Sequence, residues 1–158
     1  MRATGGVLRM QWGTTVVSVR LEVPMSQRIT ATQQEAHAVV GAWEGAEPAD
    51  PGRGAPETHF RLEVAYTADT GLLTGTILYL DGGGAGSDPF DILLLPVADG
   101  IFTAGWGENG ELWETIPWFI EFTPGDDGTY RSVEFRDEET DDVIMSAHRV
   151  RAGAGRAW

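Results

Sequence analysis

The 158-residue chain contains no cysteine and no lysine, and all eleven basic residues are arginine. Without cysteine there are no disulfides, no thiolate nucleophiles and no thiolate metal sites. Without lysine there is no Schiff-base chemistry, no lysine-anchored pyridoxal phosphate and no phosphate-loop lysine. No run approaches the ~18 apolar residues of a membrane helix. Positive charge is also scarce, with 11 basic residues against 24 acidic ones and a net charge of −13. Phosphate recognition rests on clustered Lys and Arg, so neither nucleic acid nor an anionic membrane is an expected partner. The acidity is expected to act through self-repulsion, and a cytoplasmic chain is expected.

What remains is rich in aromatics: six Trp, six Phe and three Tyr in a chain that is 42% hydrophobic. That is enough for one domain with a real core, at about 100–200 residues per domain. Residues 1–30 carry Arg2, Arg9, Arg20 and Arg28 against Glu22 alone, so the +3 start contrasts with −16 for the rest. Residues 1–24 are therefore read as an N-terminal extension or an extra edge strand, since Thr14 to Val23 alternates like a strand. Met25 is an alternative start. Residues 25–152 form the domain and 153–158 a tail.

From His59 onward, short β-branched and aromatic runs alternate with turn chemistry. The breaks fall at Asp69-Thr70-Gly71, Asp81 to Asp88, Asp99-Gly100, Glu108-Asn109-Gly110 and Pro124 to Gly128. Asn109-Gly110 and Asp127-Gly128 are the strongest hairpin signals, because a tight primed turn requires φ > 0. No helical pattern of 10–15 residues intervenes, which excludes parallel βαβ units. One short helix is predicted: Thr32-Gln33-Gln34-Glu35 matches a capping box, with Gly41 placed to end the turn. The expected fold is all-β, a single antiparallel up-and-down barrel of about eight strands preceded by that helix. Closing the sheet removes its edges.

Alternation assigns faces. Phe60, Leu62, Val64 and Tyr66 point inward between Arg61, Glu63, Ala65 and Thr67. Ile116, Trp118, Ile120 and Phe122 share a buried face with Glu114. Leu72–Leu80 and Phe90–Val97 are apolar on both faces, as expected where something covers the outside of a barrel, such as the helix, the N-terminal strand or a partner subunit in a homodimer.

A capped turn followed by Gly41-Ala42-Trp43 at the opening of the first strand, and then seven antiparallel runs, resembles the calycin superfamily of lipocalin-like barrels. The resemblance implies that Trp43 plugs the closed end and that Arg149 or Arg151 lies over it. It further implies a small-molecule ligand inside the barrel. The longer pattern also resembles nitrobindin-like haem barrels, with Glu47 where their next glycine falls. That resemblance implies haem ligation by a C-terminal histidine, for which His148 is the candidate.

The residues themselves suggest an aromatic cavity wall of Phe60, Trp106, Ile116, Trp118 and Phe122, since ligand pockets are mostly apolar with a few placed polar groups. An ordinary filled core would use the same residues. Glu114, desolvated beside Ile116 and Trp118, would titrate upward and serve as an acid or base; at the start of its strand it would instead face solvent. Tyr66 and His148 complete the candidate catalytic set, with His148 alternatively a structural histidine. His37 and His59 lack metal-ligand spacing, so no metal site is expected. The glycine-rich Asp81–Asp88 segment has no following helix and reads as a hairpin tip rather than a phosphate loop. Ser87 sits in no nucleophile elbow, and Asp137 to Asp142 reads as a solvated turn.

The functional expectation is a protein that binds a small, largely apolar organic molecule. The alternatives are a cofactor-independent cyclase or isomerase acting on a polyketide- or terpenoid-like substrate, and haem binding through His148. The first two need no cofactor.

Overall fold

A computed structural model describes residues 5–12, 15–22, 28–50, 52, 54–81, 88–108 and 111–150. Its elements in chain order are β1 (Gly5–Trp12), β2 (Thr15–Glu22), α1 (Gln33–Val39), β3 (Gly41–Glu47), β4 (Thr58–Thr67) and β5 (Leu72–Tyr79). They continue with β6 (Phe90–Ala98), β7 (Ile101–Glu108), β8 (Glu111–Pro124), β9 (Tyr130–Asp137) and β10 (Val143–Arg149). Strands β3 to β10 form a closed antiparallel barrel in which each strand pairs with its sequence neighbours and β10 returns to β3. The expected eight-stranded up-and-down barrel is the observed architecture. Strands β1 and β2 pair with each other in a separate two-stranded sheet.

The helix begins as the sequence predicts. Thr32 Oγ1 accepts from the Glu35 backbone N–H at 3.2 Å, and Glu35 Oε2 accepts from the Thr32 N–H at 2.7 Å. Burial raises the Glu35 pKa, but the hydrogen bonds from Thr32 and Arg28 outweigh it and hold the carboxyl below its usual range. The helix also ends as predicted, with Gly41 the first residue past its cap. Val40 is the C-cap, its N–H donating to Ala36 O, and Gly41 at φ 137° already opens β3.

Parity holds through β4, where Thr58, Phe60, Leu62 and Val64 are buried and the residues between them face outward. It holds through β8 as well, where Ile116, Ile120 and Phe122 are buried and Trp118 is half-buried. Closure requires a tight seam. A Cβ on Gly45 would lie 1.8 Å from Ser146 O, so only glycine lets β3 approach β10 there.

The doubly apolar β6 has a local explanation. Ile92 and Leu94 belong to the interior, while Leu93 and Leu95 point outward yet are buried. Across the β6–β7 ladder these two leucines lie over Gly107 and Gly105, where an added Cβ would meet Leu93 Cδ1 at 2.6 Å and Leu95 Cδ1 at 3.1 Å. Leu112 Cδ1 closes on Gly105 from the other side. Bare glycine backbone on β7 gives these side chains a flat surface to cover, which removes apolar area from water at about 25 cal/mol per Å².

Candidate binding site at the open end of the barrel

The two ends of the barrel are built differently. At the end next to α1, Trp43 is fully buried and its indole N–H donates to Val39 O at 3.1 Å. The Arg149 guanidinium lies 5.0 Å from the Trp43 ring centroid and donates to Ala38 O at 3.3 Å and Val40 O at 2.5 Å. One side chain thus satisfies the carbonyls at the helix C-terminus, where positive charge is favoured, and stacks a cation on the indole face. Below, Phe122 meets Trp43 edge-on at 5.0 Å and also contacts Phe102 and Tyr130. Tyr66 belongs to this plug too, its hydroxyl donating to Ala31 O at 3.4 Å. Outside the plug, a half-open depression of about 490 Å³ lies between His37, Tyr130 and Arg149. Its one arginine is already committed to Ala38 and Val40, so it offers a guest no free cation.

At the opposite end, no such lid is formed by the described residues. Here Tyr79, Phe90 and Trp106 stand on three adjacent strands with ring centroids 6.3 Å and 5.8 Å apart. Tyr79 and Phe90 are half-buried, packed on the core beneath, and Trp106 is 37% exposed. The Tyr79 hydroxyl donates to Glu47 Oε2 at 3.1 Å and lies 4.0 Å from Met145 Sδ. Burial, then the neighbouring Glu47 charge, pushes the phenol up to about 12, so it remains a neutral donor across the physiological range. Trp118 borders the same end, edge-on to Phe135 at 6.1 Å. Of the five large hydrophobic side chains exposed among the described residues, Leu80, Trp106, Trp113 and Val143 all belong to this end.

The expected site residues are distributed over both ends. Phe60, Ile116 and Phe122 are core fill at 0%, 7% and 3% exposure, with Phe60 edge-on to Phe135. Trp106 and Trp118 do reach the open mouth.

Glu114 is exposed, contrary to its expected burial. It pairs with Trp106 on the part of the β7–β8 hairpin that runs past the last β6 and β9 partners. Inward parity there faces no opposite wall, so the carboxylate stays hydrated. His148 is also exposed: it alternates with Ile144, Ser146 and Val150, but that face of the strand is the outer one. On β10 the inward positions are Met145, Ala147 and Arg149, and His148 stands on the outer face opposite Glu44 and Ser132. A haem within the barrel does not fit this placement, because the imidazole points away from the lumen. Tyr66, Glu114 and His148 therefore do not converge on one centre.

Sequence reasoning passed over Tyr79, Phe90 and Glu47. Parity was available for the first two, since Tyr79 follows Leu73 and Ile77 and Phe90 precedes Ile92 and Leu94. Which end of each strand reaches the rim is fixed only by the register. The Asn109-Gly110 turn and the Gly82–Ser87 segment lie outside the described residues, as does Arg151. Among the described residues, no helix is long and apolar enough to cross a membrane.

Compared with family models, curated proteins and solved structures, the chain finds no match.

Proposed function

We propose that this chain is a calycin-like binding protein that holds a small, largely apolar organic molecule at the open mouth of its barrel. The observation that carries this reading is the asymmetry of exposed apolar surface. One end is sealed by Trp43 and Arg149, while the other leaves Trp106 and the partly buried rings of Tyr79, Phe90 and Trp118 at the surface. An exposed aromatic cluster rimmed by polar groups is a usual mark of a ligand site. The G-x-W opening, with Arg149 stacked over Trp43, supports the calycin assignment.

The guest lies on the rings rather than deep in the lumen, because Phe60, Ile77, Ile92 and Phe135 fill the space below. Tyr79 and Glu47 supply the placed polar pair: the guest's aromatic or aliphatic body covers the rings, and its polar group meets Glu47 or the phenol.

Dansyl amide, a neutral fluorophore that brightens on leaving water, tests this. Saturable enhancement is expected, with Trp106→Ala weakening binding about fivefold, as loss of one aromatic contact does. Recovery of the probe chemically unchanged after incubation is expected of a binder. Absence of saturable enhancement, or binding unaffected by Trp106→Ala, contradicts the reading.

A further inference from the structure

Resting on that reading of the mouth, we propose that its guest is a small organic cation, held by its positive charge between the Tyr79–Phe90–Trp106 rings and the Glu47 carboxylate. Two independent features of the molecule point the same way.

The first is the ring geometry. Phe90 is tilted 32° to Tyr79 and 49° to Trp106, so the three rings form one continuous cluster without stacking face to face. Phenol and indole faces carry negative π density and attract ammonium groups within about 6 Å of the centroid. The molecule already uses this chemistry at its other end, where Arg149 sits 5.0 Å over Trp43. Trp106 and Tyr79 have no such internal cation: no arginine–ring contact is formed by either among the described residues.

The second is the sign of the charge around the mouth. The described residues at this end of the barrel lie within 47–58, 80–81, 88–89, 111–114 and 137–143 and hold twelve carboxylates and no arginine; Arg53 lies outside the described residues. The segments at the plugged end, 28–40, 66–72, 97–101, 123–131 and 148–150, hold five carboxylates and three arginines. A negative potential focused on one end raises the local concentration of cations and speeds their capture. It also repels anions, so a fatty-acid or phosphate-bearing guest is disfavoured at this site. Glu47 is the carboxylate fixed beside the rings, held there by the Tyr79 hydroxyl.

A matched dansyl series separates this inference from the underlying one: neutral dansyl amide, anionic dansylglycine and cationic 2-(dansylamino)ethyl-trimethylammonium. The cation is expected to bind at least about tenfold more tightly than the amide, and the glycine derivative at least about tenfold more weakly. Glu47→Gln should reduce the cation's advantage over the amide, both measured in that variant, to below about threefold. Asp69→Asn, which makes the same change in net charge at the plugged end, should leave all three affinities as they were. Salt should weaken the cation alone. Equal binding of all three probes, or an advantage equally reduced by Asp69→Asn, overturns the cation inference and leaves the binding reading standing. If no probe binds, both fall. Circular dichroism of each variant confirms the fold, and Trp106→Phe, which keeps a ring but weakens the cation–π face, offers a second reading if Glu47→Gln is impaired.

Discussion

The two ends of this barrel carry the same kinds of residue and use them in opposite ways. Each has a tryptophan, aromatic neighbours and a charged side chain. At the α1 end the charge is Arg149, it belongs to the chain, and it is spent on Trp43 and two helix carbonyls. At the other end the charge is Glu47, and the rings beside it remain partly in water. Burial with partnered polar atoms produces stability; aromatic surface left exposed beside a carboxylate that forms no ion pair among the described residues is what the proposed binding role rests on.

Substitutions at the two tryptophans should break this symmetry most visibly. Trp43→Ala empties a fully buried site and strands the Val39 carbonyl, so a loss of about 3–5 kcal/mol is expected in chemical denaturation. Trp106→Ala should cost well under about 1.5 kcal/mol, because its ring is already partly hydrated. Comparable losses at both positions would mean that the open end is as structural as the plug. The next largest effect is Arg149→Met, which keeps the stem but removes the cation and its donors. About 1–3 kcal/mol is expected from two charged hydrogen bonds and the stacking contact, seen as a lowered denaturation midpoint with an unchanged slope.

Titration sharpens the comparison at the mouth. Tyr79 is raised to about 12, above the ordinary phenol value, so it favours the folded state while protonated. That contribution is complete below about pH 10 and is lost as pH rises towards 12. Absorbance at alkaline pH should show one tyrosinate appearing last, and Tyr79→Phe should remove that step. If the late step persists in Tyr79→Phe, the phenol is not held as described.

The smallest effect belongs to the outer rim. His59 Nδ1 lies 2.7 Å from Asp81 Oδ2, and that hydrogen bond and charge raise the histidine pKa. A raised histidine stabilises the fold below its unfolded value and loses that contribution as pH climbs through the folded one. Stability of the parent relative to His59→Gln should therefore narrow as pH rises through neutrality. The gap should be small, since both groups are exposed.

Most of the barrel was legible because its local signals agree with one another. Alternation in β4 and β8, the capping box at Thr32 and the turn glycines all specify the same meander. Trp43 with Arg149 was legible as a pair of positions 106 residues apart only through the resemblance to calycins. The mouth was harder. Tyr79 and Phe90 sit at strand ends within runs apolar on both faces, so alternation gives their side but not their height in the barrel. Glu114 was misplaced for the complementary reason. Its parity is that of Ile116, yet the bulges in the β7–β8 ladder and the overhang of that hairpin carry it past the rim. His148 was misjudged because Ile144 and Val150 made the outer face of β10 look like the inner one. The pairing of Ala147 with Gly45 and Arg149 with Trp43 decides it.

The most direct test of the difference between the two ends is 19F NMR of 5-fluorotryptophan-labelled protein titrated with dansyl amide, the resonances assigned by single Trp→Phe variants. The account predicts that Trp106 and Trp118 shift progressively to saturation while Trp43 stays in place. A shifting Trp43 with an unmoved Trp106 would put the guest at the wrong end and contradict it.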